Sequence, residues 1–491
     1  MILIFSFLII LSMLSSKLSS KIGLPLLIVF ILIGLIAGSD VLNLFYFDNA
    51  NLTKQISVIL LIFIIFDGGF RVQRKSLKEA AGASLTLATL GVVLTAAALG
   101  LFIHFVLKVE LLRAFLIASI ISSTDAAAVF MITKERPIKE KLATTLNVES
   151  AANDPMAILL TVTVIQLLTE GIKSPFIIFL SLIWQFAGGV IIGFILSKIT
   201  IFIFNKFNSD NRGNYNVLMI GMILFTYSLA VLVKANGIIA VFFMGYWLGN
   251  SKFAAKQGVN NFLESVSSMC NVGLFLLLGL LAFPSRFVNI WKEGLIVIAA
   301  MIFLARPIAV FLCTLPFKYS FKEKIFLTWG GIKGAVPIVL ATYPAAAGLD
   351  SNGFIFDIIF FAVFTTCILQ GTTLGFLSKL FKFTVPKKPS NPYIVELHST
   401  QASDIEMFEI HISEDSVSIN RKISELPLGQ NILISSIIRD GRIILPKGNV
   451  HIKANDILFI LVPADDIDRI NLLLNQCNGL DGPCDLKKLS T

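Results

Sequence analysis

The stretch LNVESAANDPMAILL, residues 146–160, places Glu149, Asn153 and Asp154 inside an apolar run that continues to Thr169. A carboxylate at the centre of a spanning helix costs about 2.5–3.5 kcal/mol on insertion scales, so each acid needs a reason to be there. Ser150 and Asp154 are four apart and share one helix face; Glu149 and Asn153 share another. At 100° per residue, Glu149 and Asp154 point about 140° apart, so they need different partners. Glu149 calls for a permanent cation, and Lys333 is the lysine at mid-depth of an apolar segment. The expectation is a structural ion pair between Glu149 and Lys333. Asp154, with Ser150 beside it, is left to line a wet cavity and to hold a mobile ion or a proton.

Two further segments carry polar groups at mid-depth. ASIISSTDAAAVF holds Thr124 and Asp125, and LTWGGIKGAVPIVLATYPAAAG sets Gly330, Gly331, Gly334 and Pro337 around Lys333. Small and polar residues let a helix unwind where a cavity accepts the freed backbone. Paired interrupted helices in inverted halves mark a secondary transporter's binding site. Freed carbonyls and half-helix ends then hold a cation, with Asp125 and Lys333 compensating the dipole ends. Two residues stand in support. Arg306, followed by Pro307, pairs with a carboxylate or with backbone carbonyls. Asp67, in FDGGF at the end of its apolar run, is interfacial or functional. A purely structural hydrogen-bonding role for Asp125 stays open.

The elements that must position these groups are membrane spans. Apolar residues make up 56% of the 491-residue chain and charged ones 14%, against about 25% charged in soluble domains. With roughly 20 apolar residues per crossing, thirteen spans are expected: 1–15, 24–39, 56–70, 79–107, 112–133, 144–169, 175–205, 215–234, 236–250, 266–283, 287–316, 321–347 and 353–378. MILIFSFLII carries no Lys or Arg ahead of its apolar run and reads as a retained helix with its N-terminus outside, not as a secretory signal. That orientation puts seventeen Lys and Arg in inside loops and seven in outside loops, the positive-inside bias, and leaves everything after 379 in the cytoplasm. The net charge of +9 is then topology, and nucleic acid is not expected as a partner. Cys270, Cys313, Cys367, Cys477 and Cys484 are scattered without metal-ligand spacing, which argues against disulfides in a reducing compartment. Neither an enzyme nor a resident cofactor is expected.

The composition changes after FKFTVPKKPSNPY, which gives a transmembrane region 1–380 and a linker 381–399. MFEIHIS (407–413) alternates like a half-buried strand, ILISSIIRDGRIILP (432–446) is two apolar runs around Asp440-Gly441, and DILFILVP (456–463) is a further strand. ADDIDRINLLLNQC (464–477) has helical spacing. The expected fold is an all-α polytopic membrane protein of about 13 spans, built as inverted repeats with broken helices. A small α+β cytoplasmic domain at 400–475 and a tail at 476–491 follow. The cytoplasmic module reads as regulatory, with a small ligand of its own; its plainer reading is a stability cap.

STDAAAV, ESAANDPMA, ARP and WGGIKGAVPIVLA, in that order, resemble the motifs of bacterial monovalent cation:proton antiporters of the sodium–proton exchanger superfamily. SINRKISELPL and IIRDGRIILPKGNVHIKANDILFIL resemble the C-terminal half of the regulator-of-potassium-conductance domain, the TrkA-C type. Together they resemble the potassium/proton antiporter branch. The resemblance implies a homodimer in the inner membrane, with a core that moves against a dimerisation domain. It implies Asp154 as the carrier of proton or cation. Thr124, Asp125 and Ser150 complete the cation site, Asn153-Asp154 is the pair associated with electroneutral exchange, and Glu149 belongs to a structural ion pair. The chain departs from the family in carrying Lys333 where arginine is common, and an ammonium cannot make a guanidinium's bidentate contact. The implied cargo is K⁺ or Na⁺ against H⁺, with K⁺ favoured by the cytoplasmic module. A Na⁺/H⁺ antiporter is the alternative. A gated channel would need a carbonyl filter of the TVGYG kind, which the sequence lacks, and an intramembrane aspartyl protease using Asp125 and Asp154 lacks a protease motif.

Overall fold

The computed structural model describes residues 6–15, 26–44, 49–74, 82–125, 129, 137–171, 175–207, 209, 211–385, 405–414, 416–426, 428, 432–463 and 466–475. Within these, the first part of the chain is helical: α1 (Ser6–Ser15), α2 (Leu26–Ala37), α3 (Ala50–Arg71), α4 (Gly82–Leu107), α5 (Leu111–Ile121), α6 (Glu140–Glu170) and α7 (Pro175–Lys206). It continues through α8 (Arg212–Leu232), α9 (Gly237–Gly249), α10 (Lys256–Leu281), α11 (Pro284–Cys313), α12 (Phe321–Trp329), α13 (Ala335–Ala346) and α14 (Phe354–Leu380). Eight of these are long and apolar enough to cross a membrane, and α1, α2, α5, α9 and α13 are shorter apolar helices. Each of the thirteen expected spans coincides with one of them, the twelfth being the pair α12 and α13.

Apolar helices gain little from one another by the hydrophobic effect in lipid, so close backbone approach does the packing. Gly245 and Gly249 of α9 lie against the carbonyls of Phe66 and Phe70 of α3, and Gly69 lies against that of Phe242. A methyl group at any of the three would strike a main-chain oxygen of the facing helix.

The departures from regular helix fall where the sequence invites them. α12 starts on a capping box, with Ser320 and Glu323 bonded to each other's backbone N–H. It stops at Trp329, and the chain is non-helical from Gly330 to Gly334 before α13 begins at Ala335. α5 stops at Ile121 and the backbone through Asp125 has left the helix. Two π-helical turns occur, Leu87–Gly91 in α4 and Met301–Ala305 in α11. They belong to the fourth and eleventh of the expected spans. The second sits immediately before Arg306-Pro307, where the proline ring would otherwise crowd the carbonyl of Phe303 in the preceding turn.

The expected linker does not begin free at 381. Val385 donates to the carbonyl of Pro137 and Lys139 to that of Phe383, each at 2.9 Å, and Ile138 and Thr384 form an antiparallel bridge. Phe383 is buried with its ring 5.5 Å from that of Phe326 in α12. The chain leaving α14 is therefore stitched to the segment that enters α6.

The C-terminal unit is a four-stranded antiparallel sheet in the order β1-β4-β2-β3, from β1 (Ile405–His411), β2 (Leu433–Arg439), β3 (Arg442–Ile444) and β4 (Ile457–Pro463), with α15 (Ile467–Asn475) against it. Asp440 and Gly441 both have positive φ, +49° and +71°, the two-residue hairpin that Asp-Gly specifies. Ile437, Leu458, Ile460 and Val462 pack with Ile470 and Leu474 of the helix. Asp456, fully buried, takes two hydrogen bonds of 2.8 Å from Arg439. Most of the expected linker and all of the expected tail, 476–491, lie outside the described residues.

Candidate cation and proton site

The two unwound stretches cross. The backbone N–H of Asp125 donates to the carbonyl of Ile332 at 2.8 Å, so each chain break supplies a partner for the other. α5 ends at Ile121, and the last carbonyls of a helix find no partner within it. Lys333 meets them, its Nζ donating to the carbonyls of Ser122 and Ser123 at 3.2 and 2.9 Å. α13 begins with the opposite charge. Its N-cap, Gly334, has the Asp125 carboxylate against its Cα, in space that any side chain would fill. A cation stands at a helix C-terminus and an anion at a helix N-terminus, the signs that the helix dipole favours. Lys333 and Asp125, the residues expected at the dipole ends, are placed at these two ends.

α6 passes beside the crossing and ties it down. Ser150 Oγ lies 2.8 Å from Thr124 Oγ1. Asn153 spends both ends of its carboxamide on Thr124, Nδ2 to the hydroxyl at 2.6 Å and Oδ1 to the backbone N–H at 3.3 Å. A cavity of about 600 Å³ reaches this point, walled by Thr124, Asp125 and Asp154, by Gly334 and Ala335, and towards its mouth by Asp67, Arg71 and Glu264. Ser150 and Asn153, both almost wholly buried, position Thr124 and are not part of that wall. Pro155 leaves a gap in the α6 hydrogen-bond ladder that sequence reasoning overlooked. Having no N–H, it cannot bond to the carbonyl of Ala151 one turn back, and Ala151 is on the cavity wall next to Asp154.

The expected Glu149–Lys333 pair is not what forms. Glu149, fully buried, faces Arg306, whose Nη1 lies 2.5 Å from Oε1. The contact is charge against charge, since neither Glu149 oxygen receives a well-aligned hydrogen bond among the described residues. Arg306 also donates from Nη2 to the carbonyl of Leu327 at 3.4 Å, and its Nε would lie 2.6 Å from a Cβ on Gly331. The physical reason is division of labour. A flexible ammonium with three donors suits the diverging carbonyls at the end of α5, whereas a planar, always-charged guanidinium suits a dry carboxylate. The sequence signal was Arg306-Pro307 itself, a second buried cation next to a helix irregularity. Asp67 accepts from Arg71 Nε at 2.9 Å, and Glu264 is 3.9 Å from Arg71 Nη2, so both acids share Arg71 on the cavity wall.

Residues 4–380 match the family described as sodium/hydrogen exchanger, transmembrane. The chain belongs to the sodium/hydrogen exchanger family. Its residues 407–475 match the TrkA-C domain. The chain is 33% identical over 472 residues to the K(+)/H(+) antiporter NhaP2 of Shewanella sp. (strain ANA-3), covering 95% of this chain and 81% of that protein. It is 30% identical to the K(+)/H(+) antiporter NhaP of Alkalimonas amylolytica, covering 96% and 83%. The solved sodium proton antiporter MjNhaP1 of Methanocaldococcus jannaschii superposes with a TM-score of 0.66 at 25% identity, over 77% of this chain and 97% of that one.

In this exchanger Asp154 makes no ion pair among the described residues. Asp67 and Glu149 each have an arginine. Asp125 is placed at a helix N-terminus. Asp154 lines a cavity that reaches exposed residues, and Thr124 and Asp125 line the same cavity.

Proposed function

We propose that the protein exchanges a monovalent cation for H⁺ across the inner membrane, one for one, with K⁺ as the favoured cation. The reading is carried by Asp154, placed where the cavity meets the crossing of α5 with the α12–α13 break. A lone carboxylate binds H⁺ or a cation and not both. Each loaded form is neutral at Asp154, whereas the empty form would carry a bare charge through an apolar barrier. Both half-cycles then move one positive charge, so the exchange is electroneutral and the two ion gradients drive it. Asp125, Thr124 and the Ala151 carbonyl contribute oxygens to the cation, and Ser150 and Asn153 hold Thr124 in place. No enzymatic step and no resident cofactor enter this cycle.

The preference for K⁺ is supported by the K(+)/H(+) antiporter names of the two bacterial relatives and by the TrkA-C domain. Likeness to a sodium proton antiporter supports Na⁺ as the competing cargo. With the N-terminus outside, the mouth at Arg71 and Glu264 is cytoplasmic, so this conformation faces inward. The protein works as a homodimer, and residues 400–475 regulate exchange through a small ligand without performing it.

Purified protein in proteoliposomes under an imposed pH gradient tests the reading. Addition of K⁺ should collapse the gradient, with Na⁺, Li⁺ and Rb⁺ as comparisons. Asp154→Asn, which keeps shape and hydrogen bonding but loses the exchangeable charge, should abolish exchange in a folded protein. Gradient collapse by Asp154→Asn would remove Asp154 from the mechanism.

A further inference from the structure

The cavity wall takes Thr144, Asn147, Ala151 and Asp154 from α6. Steps of three, four and three put them on one face of an unbroken helix. Asn147 precedes Asp154 by seven residues, a rise of about 10 Å and less than a tenth of a turn of rotation. Its carboxamide oxygen is buried and takes no hydrogen bond among the described residues, although buried polar atoms are as a rule paired. Asn153 on the same helix is the contrast, with both ends of its carboxamide committed to Thr124. The wall of this cavity also takes Ser267 and Asn271 from α10 and Asp67 from α3.

We propose that Asn147 is a ligand of a second station for the transported cation, an approach site about 10 Å short of Asp154, completed by Asp67 and Ser267. The proposal rests on the exchange reading above and adds a site to it. The chemistry fits a monovalent ion. Neutral amide and hydroxyl oxygens replace part of its hydration shell, as carbonyls do in selective pores. Asp67 is already held by Arg71 at 2.9 Å, so the station carries little net charge and does not trap a divalent ion. Weak holding is what a station in series requires, since an ion must leave it as readily as it arrives. Removing the Asn147 oxygen should therefore weaken capture without touching the chemistry at Asp154.

The experiment compares wild type, Asn147→Leu and Asn147→Asp as full-length proteins in proteoliposomes, with initial exchange rates against K⁺ and Na⁺ concentration. Asn147→Leu should raise the apparent cation KM about three- to tenfold, the worth of one polar contact, while maximal rate falls less than about twofold. Asn147→Asp keeps an oxygen and adds charge, so its KM should stand at or below that of wild type. A wild-type KM in Asn147→Leu overturns the proposal. So does a loss of maximal rate and thermal stability that Asn147→Asp fails to rescue, because that is the signature of a structural asparagine. Should Asn147→Leu fail to fold, Asn147→Asp decides alone, and a KM above that of wild type overturns the station. Absence of exchange in the wild type would sink the exchange reading itself, which separates the two failures.

Discussion

The chain buries two cations near its transport site, and they answer different needs. Lys333 sits in an unwound stretch and donates to main-chain carbonyls, those of Ser122 and Ser123. Arg306 sits on a continuous run of helix just after a π turn and faces a carboxylate, Glu149. The first neutralises a dipole that exists because α5 was broken. The second neutralises an acid on α6, while Asp154 of the same helix lines the cavity that reaches the crossing. The ion pair is therefore scaffold, and the lysine belongs to the broken-helix crossing that shapes the binding site. An intact α5 would have no use for Lys333, whereas Glu149 would need Arg306 whether or not α5 were broken.

The largest expected effect comes from stranding a buried charge. Arg306→Met should cost about 3–5 kcal/mol of stability, and Glu149→Gln with Arg306→Met should recover much of it, both measured by thermal unfolding in detergent. If Glu149 couples as strongly to Lys333 as to Arg306 in double-mutant cycles, the division between the two cations is wrong. Lys333→Met comes next. It leaves two carbonyls without a donor and should cost about 1–3 kcal/mol, and combining it with Glu149→Gln should bring no recovery. A recovery there would mean that the lysine serves the acid after all. Ser150→Ala is the smallest. It deletes one hydroxyl contact to Thr124 and should cost about 0.5–1.5 kcal/mol, with exchange slowed and not abolished. Unaltered cation affinity in that variant would indicate that Thr124 needs no help to hold its place.

Periodicity and hydropathy made most of the fold legible. The thirteen spans, the break around Lys333 and the Asp440-Gly441 hairpin all follow from local residue types. The 140° between Glu149 and Asp154 was also readable, because both lie on one regular helix. What escaped was anything that depends on how separate helices meet. Arg306 and Lys333 lie in different elements, and the sequence alone could not say which reaches α6. The resemblance sets Ser150 in the cation site and Asn153 in a pair with Asp154, and the tertiary contacts that join both to Thr124 have no signal in the local sequence. The stitch between Val385 and Pro137 joins segments about 250 residues apart and has no local signature, since it is made of backbone.

The central claim is that proton and cation compete for Asp154, and the apparent cation KM as a function of pH in proteoliposomes tests it most directly. In the range where Asp154 is mostly protonated, each unit fall in pH should raise KM about tenfold, because each tenfold rise in protons must be displaced by a tenfold rise in cation. Maximal rate at saturating cation should change far less over the same range. A KM that stays constant with pH would contradict the account, since proton and cation would then be carried by different groups.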